Sequence, residues 1–432
     1  MAAADSGGAG LGTVVLPAAW RAAVGSAWVE VDLDAITANT RAVLAYVHHR
    51  VPQSRLMAVV KADGYGHGAA PAAAAALAGG AEALAVTKLD EAVELRRAGI
   101  TAPILVFNPL TAGELPLAVD LDVELAISDP AALLAVDQAA AAAGRLVGVH
   151  LEVDSGLGRF GCPPVQVAEL VRAARAAESV VVRAMFTHFP GPPYDGAYGR
   201  FSEGVAVAEA AGLAAPARHV ASSTVLVHRP DLALDWHRVG NLLYGILPAP
   251  CPELELRPVW QLSARVLAVR DLPAGATVGY ERDQRLPRPT RVATFGLGLA
   301  EGLGVEAQSR TYRPWRLVKA AVKLLLDRLG LARRLGVASV RGQAQIGGRT
   351  VALLGRVFMQ HCQLDVTGLE VAPGDVASFE AGRIVVSSRL ARVYHRDGQP
   401  VAATTLAGPL ALELPPADGS SPSAPSTDAS WG

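Results

Sequence analysis

Lys61 ends an apolar run, Met57-Ala58-Val59-Val60, and Gly64, Gly66 and Gly68 follow it with Tyr65 among them. An amine at the C-terminal end of a buried parallel strand stands where α/β barrels carry out their chemistry. Partial desolvation there lowers a lysine's pKa and makes the amine usable as nucleophile or base. The glycines let backbone amides approach an anion, and Tyr65 offers a hydroxyl to the same anion. The plain alternative is a strand ending on a solvent lysine, since lysines mostly stay at the surface.

Four further stretches place polar side chains after apolar runs. In His150-Leu151-Glu152-Val153-Asp154-Ser155-Gly156-Leu157-Gly158-Arg159 an acid ends a strand and a glycine turn presents an arginine to the same mouth. An arginine fork can hold a carboxylate or a phenolate oxygen through two hydrogen bonds. Phe186-Thr187-His188-Phe189, Ala221-Ser222-Ser223-Thr224 and His237-Arg238-Val239-Gly240-Asn241 repeat the pattern. Taken singly, His188 reads as structural and Glu152–Arg159 as a surface pair.

The elements that must position these groups alternate strand and helix. Trp28–Val31, Arg55–Lys61, Ala83–Val86, Ile104–Phe107, Glu124–Ile127, Val147–Val153, Val180–Phe186 and Arg218–Val220 read as strands, with helical segments between them up to about Gly245. Asp129-Pro130 is a helix start, a capping residue followed by proline in the first turn. Eight or so such units fit a parallel barrel, and periodicity alone also allows a doubly wound open sheet. After the proline-rich join at 247–258 the strands shorten and turn residues separate them, as in a mostly β domain.

The expected organisation is therefore an unstructured N-terminus over 1–25, a barrel over 26–250, a β-rich domain over 251–412 and an unstructured Ser/Pro/Ala/Asp tail over 413–432. Within the second domain, residues 308–341 form a basic helical insertion. Nine arginines and lysines from Arg310 to Arg341 face one acid, Asp327, with Trp315, Val318, Val322, Leu325 and Leu329 at helical spacing. Residues 313–334 either dock an acidic partner or a membrane surface or pack on their own protein. A net charge of −1 with 18% charged residues gives no field that would draw nucleic acid. The chain shows no apolar run long enough to span a membrane and no secretory signal at its start. Three scattered cysteines supply neither a disulfide frame nor a metal site. These features point to a cytoplasmic protein.

The word Ala58-Val59-Val60-Lys61-Ala62-Asp63-Gly64-Tyr65-Gly66-His67-Gly68 closely resembles the cofactor-lysine motif of the alanine racemases, and the other four stretches match that family in order. The resemblance implies a (β/α)8 TIM-type barrel binding pyridoxal 5'-phosphate, followed by a mostly β domain. It implies that Lys61 carries the cofactor and acts as base, with Tyr65, Ser223, Gly240 and Asn241 on the phosphate. Arg159 would touch the substrate carboxylate and the phenolic oxygen, His188 would pack near the ring, and Arg238 would face the pyridine nitrogen. Where many members have a lysine that becomes anionic by carbamylation, Glu152 would supply the negative charge directly. The working form is expected to be a homodimer with a shared active site, and the substrate a small amino acid.

Two departures stand out. The family reads Gly-Tyr-Ala-Asp-Gly-Tyr where this chain reads Gly298-Leu299-Ala300-Glu301-Gly302-Leu303, so the second proton carrier, a tyrosine, is replaced by Leu299. The family's Met-Asp-Gln is Met359-Gln360-His361 here, which leaves Met359 and Gln360 beside the substrate and adds a residue that titrates near neutrality. His361 is the candidate substitute acid or base, with Cys362 next to it. Three readings follow: a racemase or epimerase, a lyase or decarboxylase working with Lys61 alone, and a cofactor-binding protein without turnover.

Overall fold

The computed structural model describes residues 16–304, 322, 342–381 and 386–411, which fall into two compact units. Apart from Val322, the basic insertion at 313–334 lies outside the described residues, as does the tail from 413.

The first unit is an eight-stranded parallel barrel. Strand β1 (Ala27–Asp32) precedes it, and the barrel strands are β2 (Arg55–Val59), β3 (Ala83–Val86), β4 (Ile104–Val106), β5 (Glu124–Ile127), β6 (Val147–Glu152), β7 (Val180–Phe186), β8 (Ala217–His219) and β9 (Trp236–Val239). They pair in chain order from β2 to β8, and β2 also pairs with β9. The remaining gap is spanned by a parallel bridge between Ser222 and Arg238, where the Arg238 amide donates to the Ala221 carbonyl at 2.9 Å. Strands β3 and β4 are short unbroken apolar runs and are buried along their whole length, as strands covered on both faces must be. Side-chain caps set two of the outer helices. Asp32 accepts from the Ala35 amide at 2.8 Å to start Leu33–His48, and Asp129 accepts from Ala132 at 2.8 Å to start Pro130–Ala142.

The second unit is mostly β. Its sheet runs Arg349–Ala352, Gln343–Ile346, Val376–Phe379, β10 (Trp260–Leu272), β1, Ala391–Arg396, Gln399–Thr405 and Gly408–Ala411. An irregularity between Val266 and Ala268 lets the second half of β10 pair with Thr290–Phe295, which pairs in turn with Cys362–Asp365.

Two expectations need correction here. Strand β1 belongs to this sheet and not to the barrel, whose eighth strand is β9. The alternation of residue types reveals that Trp28–Val31 is a strand but says nothing of its neighbours. Residues 18–24, expected to be unstructured, form a 3-10 turn (Ala18–Trp20) and a short helix (Arg21–Val24). Leu16, Trp20 and Val24 bury their side chains with Trp28, Ala391, Val393 and Ala403. That apolar cluster supplies the burial which the small residues around it do not suggest.

Candidate active site

The chain leaves β2 at Val60 and makes one left-handed turn. Ala62, Asp63, Gly64 and Tyr65 have φ of 53°, 54°, 59° and 56°, a conformation that L-residues other than glycine adopt at a cost in energy. The turn is held by surrounding polar groups. The Glu91 carboxylate accepts from the Ala62 amide at 2.5 Å and from the Thr87 and Lys88 amides at 2.7 and 3.0 Å. Asp63 accepts from the Ala69 amide at 3.0 Å, and the Gly64 amide donates to the Val60 carbonyl at 2.9 Å. Reversing the backbone directly after the strand places Lys61 and Tyr65 in the wall of one cavity.

That cavity, of about 220 Å³, is lined by Lys61, Tyr65, Glu152, Arg159, His188, Ser223, Arg238, Gly240 and Asn241, with Val59, Phe107, Phe186, Ser222 and Thr224 completing its surface. Every barrel residue assigned to the site from sequence lines it. Met359, Gln360 and His361 belong to the second unit. There Gln360 and His361 line a separate cavity with Glu301 and Arg389, while Met359 is exposed.

At position 240 a Cβ would collide with the Tyr65 hydroxyl, so any larger residue would push that ring out of its place. The Gly240 amide donates to Ser223 Oγ at 3.2 Å. Backbone amide, serine hydroxyl and tyrosine hydroxyl thus converge on one corner, the donor set a phosphate requires. Burial pushes the Tyr65 phenol up to about 12, so it stays a donor.

Three cations, Lys61, Arg159 and Arg238, face one carboxyl, Glu152. Burial lowers the pKa of Lys61, and the charges of Arg159 and Arg238 lower it further against the pull of Glu91. Burial raises Glu152 to about 7 although Arg159 and Arg238 draw it down. The carboxyl is therefore partly protonated near neutrality, in contrast to the fixed negative charge expected from sequence. His188 is pushed down to about 3 by burial and then by Arg238, Arg159 and Lys61, so its imidazole is neutral. Arg238 is anchored by His219: its Nη1 donates to His219 Nδ1 at 2.6 Å and to the His219 carbonyl at 2.8 Å. Its Nη2 donates to the Thr187 carbonyl at 2.8 Å.

Sequence reasoning missed several supporting residues. Phe107 and Phe186, 6.1 Å apart, form an apolar wall, and the His219 ring stacks on Phe186 at 4.8 Å. All three stand at the ends of barrel strands, and that position was the available signal. Glu91 gave no such signal, because its role depends on the fold bringing the distant Ala62 amide to a carboxylate that already caps its own helix at Thr87 and Lys88.

The donor set suits an anionic, ring-bearing cofactor such as pyridoxal phosphate: hydroxyls and an amide at Ser223, Gly240 and Tyr65 could receive a phosphate, and the wall of Phe107 and Phe186 a flat ring. The alanine racemase N-terminal domain family matches residues 31–248 and the alanine racemase C-terminal domain family residues 259–321. The alanine racemase of Desulfosudis oleivorans is 36% identical over 369 residues, covering 81% of this chain and 86% of the relative. That of Salinispora tropica is 37% identical over 367 residues, covering 82% and 88%. Among solved structures, the alanine racemase of the D-cycloserine producer Streptomyces lavendulae superposes with a TM-score of 0.71 at 31% identity, over 86% of this chain and 97% of the other. That of Clostridium difficile superposes with a TM-score of 0.74 at 22% identity, over 88% and 98%, a likeness of fold.

Proposed function

Because this chain belongs to the alanine racemase family, we propose that the barrel cavity racemises a small amino acid, with Lys61 as the proton carrier on one face of Cα. The enzyme is a pyridoxal-phosphate-dependent isomerase and its substrate an amino acid. The observation that carries the reading is the convergence of a pKa-lowered Lys61, a phosphate corner and an arginine-anchored floor on one cavity.

Bound pyridoxal phosphate supplies the electron sink that lets Cα give up its proton. Lys61 holds the cofactor and, once free, takes or returns that proton. Arg159 orients the substrate carboxylate. Tyr65, Ser223 and the amides of Gly240 and Asn241 hold the phosphate. Arg238 would face the ring nitrogen and, as an arginine, would surrender no proton to it, which would keep the sink weak and favour reprotonation over longer rearrangements. Neutral His188 packs by the ring without adding charge.

Racemisation needs a second proton carrier on the opposite face. Leu299 has no proton to give, and we assign that role to His361, with Met359 and Gln360 beside the substrate. The working form is a dimer, and in our reading each active site is shared between copies, in the cytoplasm. No helix among the described residues is long and apolar enough to cross a membrane.

The assignment of His361 is tested by two variants. His361→Gln should lower racemisation of both enantiomers by about 10²-fold, the size of effect expected for a lost general acid or base, while Lys61 still exchanges the Cα hydrogen of one enantiomer with solvent deuterium. Leu299→Tyr in that background should restore it. Undiminished racemisation, or loss of that exchange with both enantiomers alike, would remove His361 from the mechanism.

A further inference from the structure

Arg238 begins a chain of side chains whose far half the mechanism above does not use. From Arg238 on β9 the chain reaches His219 on β8. His219 Nε2 then lies 2.8 Å from His150 Nδ1, on β6, and His150 Nε2 lies 2.8 Å from Glu124 Oε2, at the start of β5. Arg238, His219 and His150 are buried, and the Glu124 side chain is 25% exposed with Arg183 3.6 Å away.

The two ends fix the direction of every hydrogen bond between them. A guanidinium only donates and a carboxylate only accepts. Each imidazole must then accept at Nδ1 and donate from Nε2, so both are neutral. A second proton on His150 would point at His219, whose own proton would be forced onto Nδ1 and against Arg238 Nη1 at 2.6 Å. The electrostatics of His219 agree. Burial and then the Arg238 charge push His219 well below the usual histidine range. Burial opposes ionisation of Glu124, but the His150 hydrogen bond and then Arg183 and Arg55 hold it below the usual carboxylate range.

We propose that Glu124 and His150 are positioning residues for the reaction: through His219 they fix the tautomer that holds Arg238 Nη1, and so the edge of the guanidinium left for the cofactor ring. The proposal rests on Arg238 facing that ring. With Nη1 committed to His219 Nδ1 and to the His219 carbonyl, and Nη2 to the Thr187 carbonyl, the guanidinium plane has one setting. If His219 took the other tautomer, two N–H groups would meet and the arginine would turn away. The remote carboxylate thus sets the polarity of the group at the ring.

The test has two arms. In cofactor-free protein carrying 15N-labelled histidine, NMR should report His150 and His219 as neutral Nε2–H tautomers. Glu124→Leu should abolish that preference, and Glu124→Gln, whose amide oxygen still accepts from His150, should keep it. In cofactor-loaded protein, Glu124→Leu and His150→Leu should shift the visible band of bound pyridoxal phosphate and lower kcat about 10-fold with KM little changed, the lower end of what outer-shell partners cost. Glu124→Gln should restore most of both. An Nδ1–H tautomer at either histidine of the wild-type protein overturns the proposal. So does an unchanged band and kcat in both leucine variants, which would make the chain a buried polar network with no bearing on the ring. Failure of the wild-type protein to bind pyridoxal phosphate would instead overturn the function above, and this role with it.

Discussion

At the scale of single residues, the site is a set of groups whose charge states are set by burial. Lys61 is the one lysine in the cavity wall, and burial lowers its pKa. Lys61→Ala should remove the visible absorbance of bound cofactor and cut racemisation by at least about 10²-fold. An unchanged spectrum would take the cofactor off this residue. Glu152 gives a prediction with a definite sign. Its folded value of about 7 lies above the ordinary 4.5, so the folded protein holds that proton more tightly than the unfolded chain. The group's contribution to stability is therefore complete below about pH 4.5 and lost as pH rises through 7. In cofactor-free protein, Glu152→Gln should match wild type near pH 4.5 and melt progressively higher than wild type from pH 5 to 8. Parallel melting profiles would show that Glu152 is not protonated in the fold. The barrel residues of the site were legible because each follows an apolar strand within a long specific motif. The charge state of Glu152 was not, since it depends on how deeply the strand end is buried.

At the scale of elements, the left-handed turn after β2 aims the chemistry. Three of its four residues with positive φ are not glycine, so neighbouring groups must stabilise it. Glu91, from the helix Leu89–Arg97 that follows β3, satisfies three backbone amides at once. Glu91→Ala leaves those donors without their carboxylate and should destabilise the protein by about 1–3 kcal/mol, with weaker cofactor binding beyond that loss. Urea unfolding of the cofactor-free protein and a cofactor titration measure the two separately. Destabilisation without a change in cofactor affinity would mean that the turn keeps its shape on its own. The sequence shows a glycine-punctuated turn at this point but not its hand, because the hand is decided by contacts with a helix some thirty residues on. The allocation of strands was limited in the same way. Strand β1 was visible as an apolar segment and β9 only as part of the motif at 237–241, while which sheet each joins is fixed by long-range pairing.

At the scale of the whole molecule, a parallel barrel carries the cofactor site and a mostly β unit carries Leu299 and His361. The order of the motifs along the chain made both units legible, and the family match to each confirms them. What the sequence raised most sharply was the replacement of a tyrosine by Leu299. That change bears on how many faces of Cα the enzyme can reach, which substrate isotope and configuration report directly. The most direct measurement is to incubate the cofactor-loaded protein with single enantiomers of alanine, then serine, in D2O and to separate the products by configuration and mass. The account predicts product of inverted configuration carrying one deuterium at Cα, from either enantiomer. Deuterium with retained configuration, or release of CO2 or a side-chain fragment, would contradict it and leave Lys61 working one face alone.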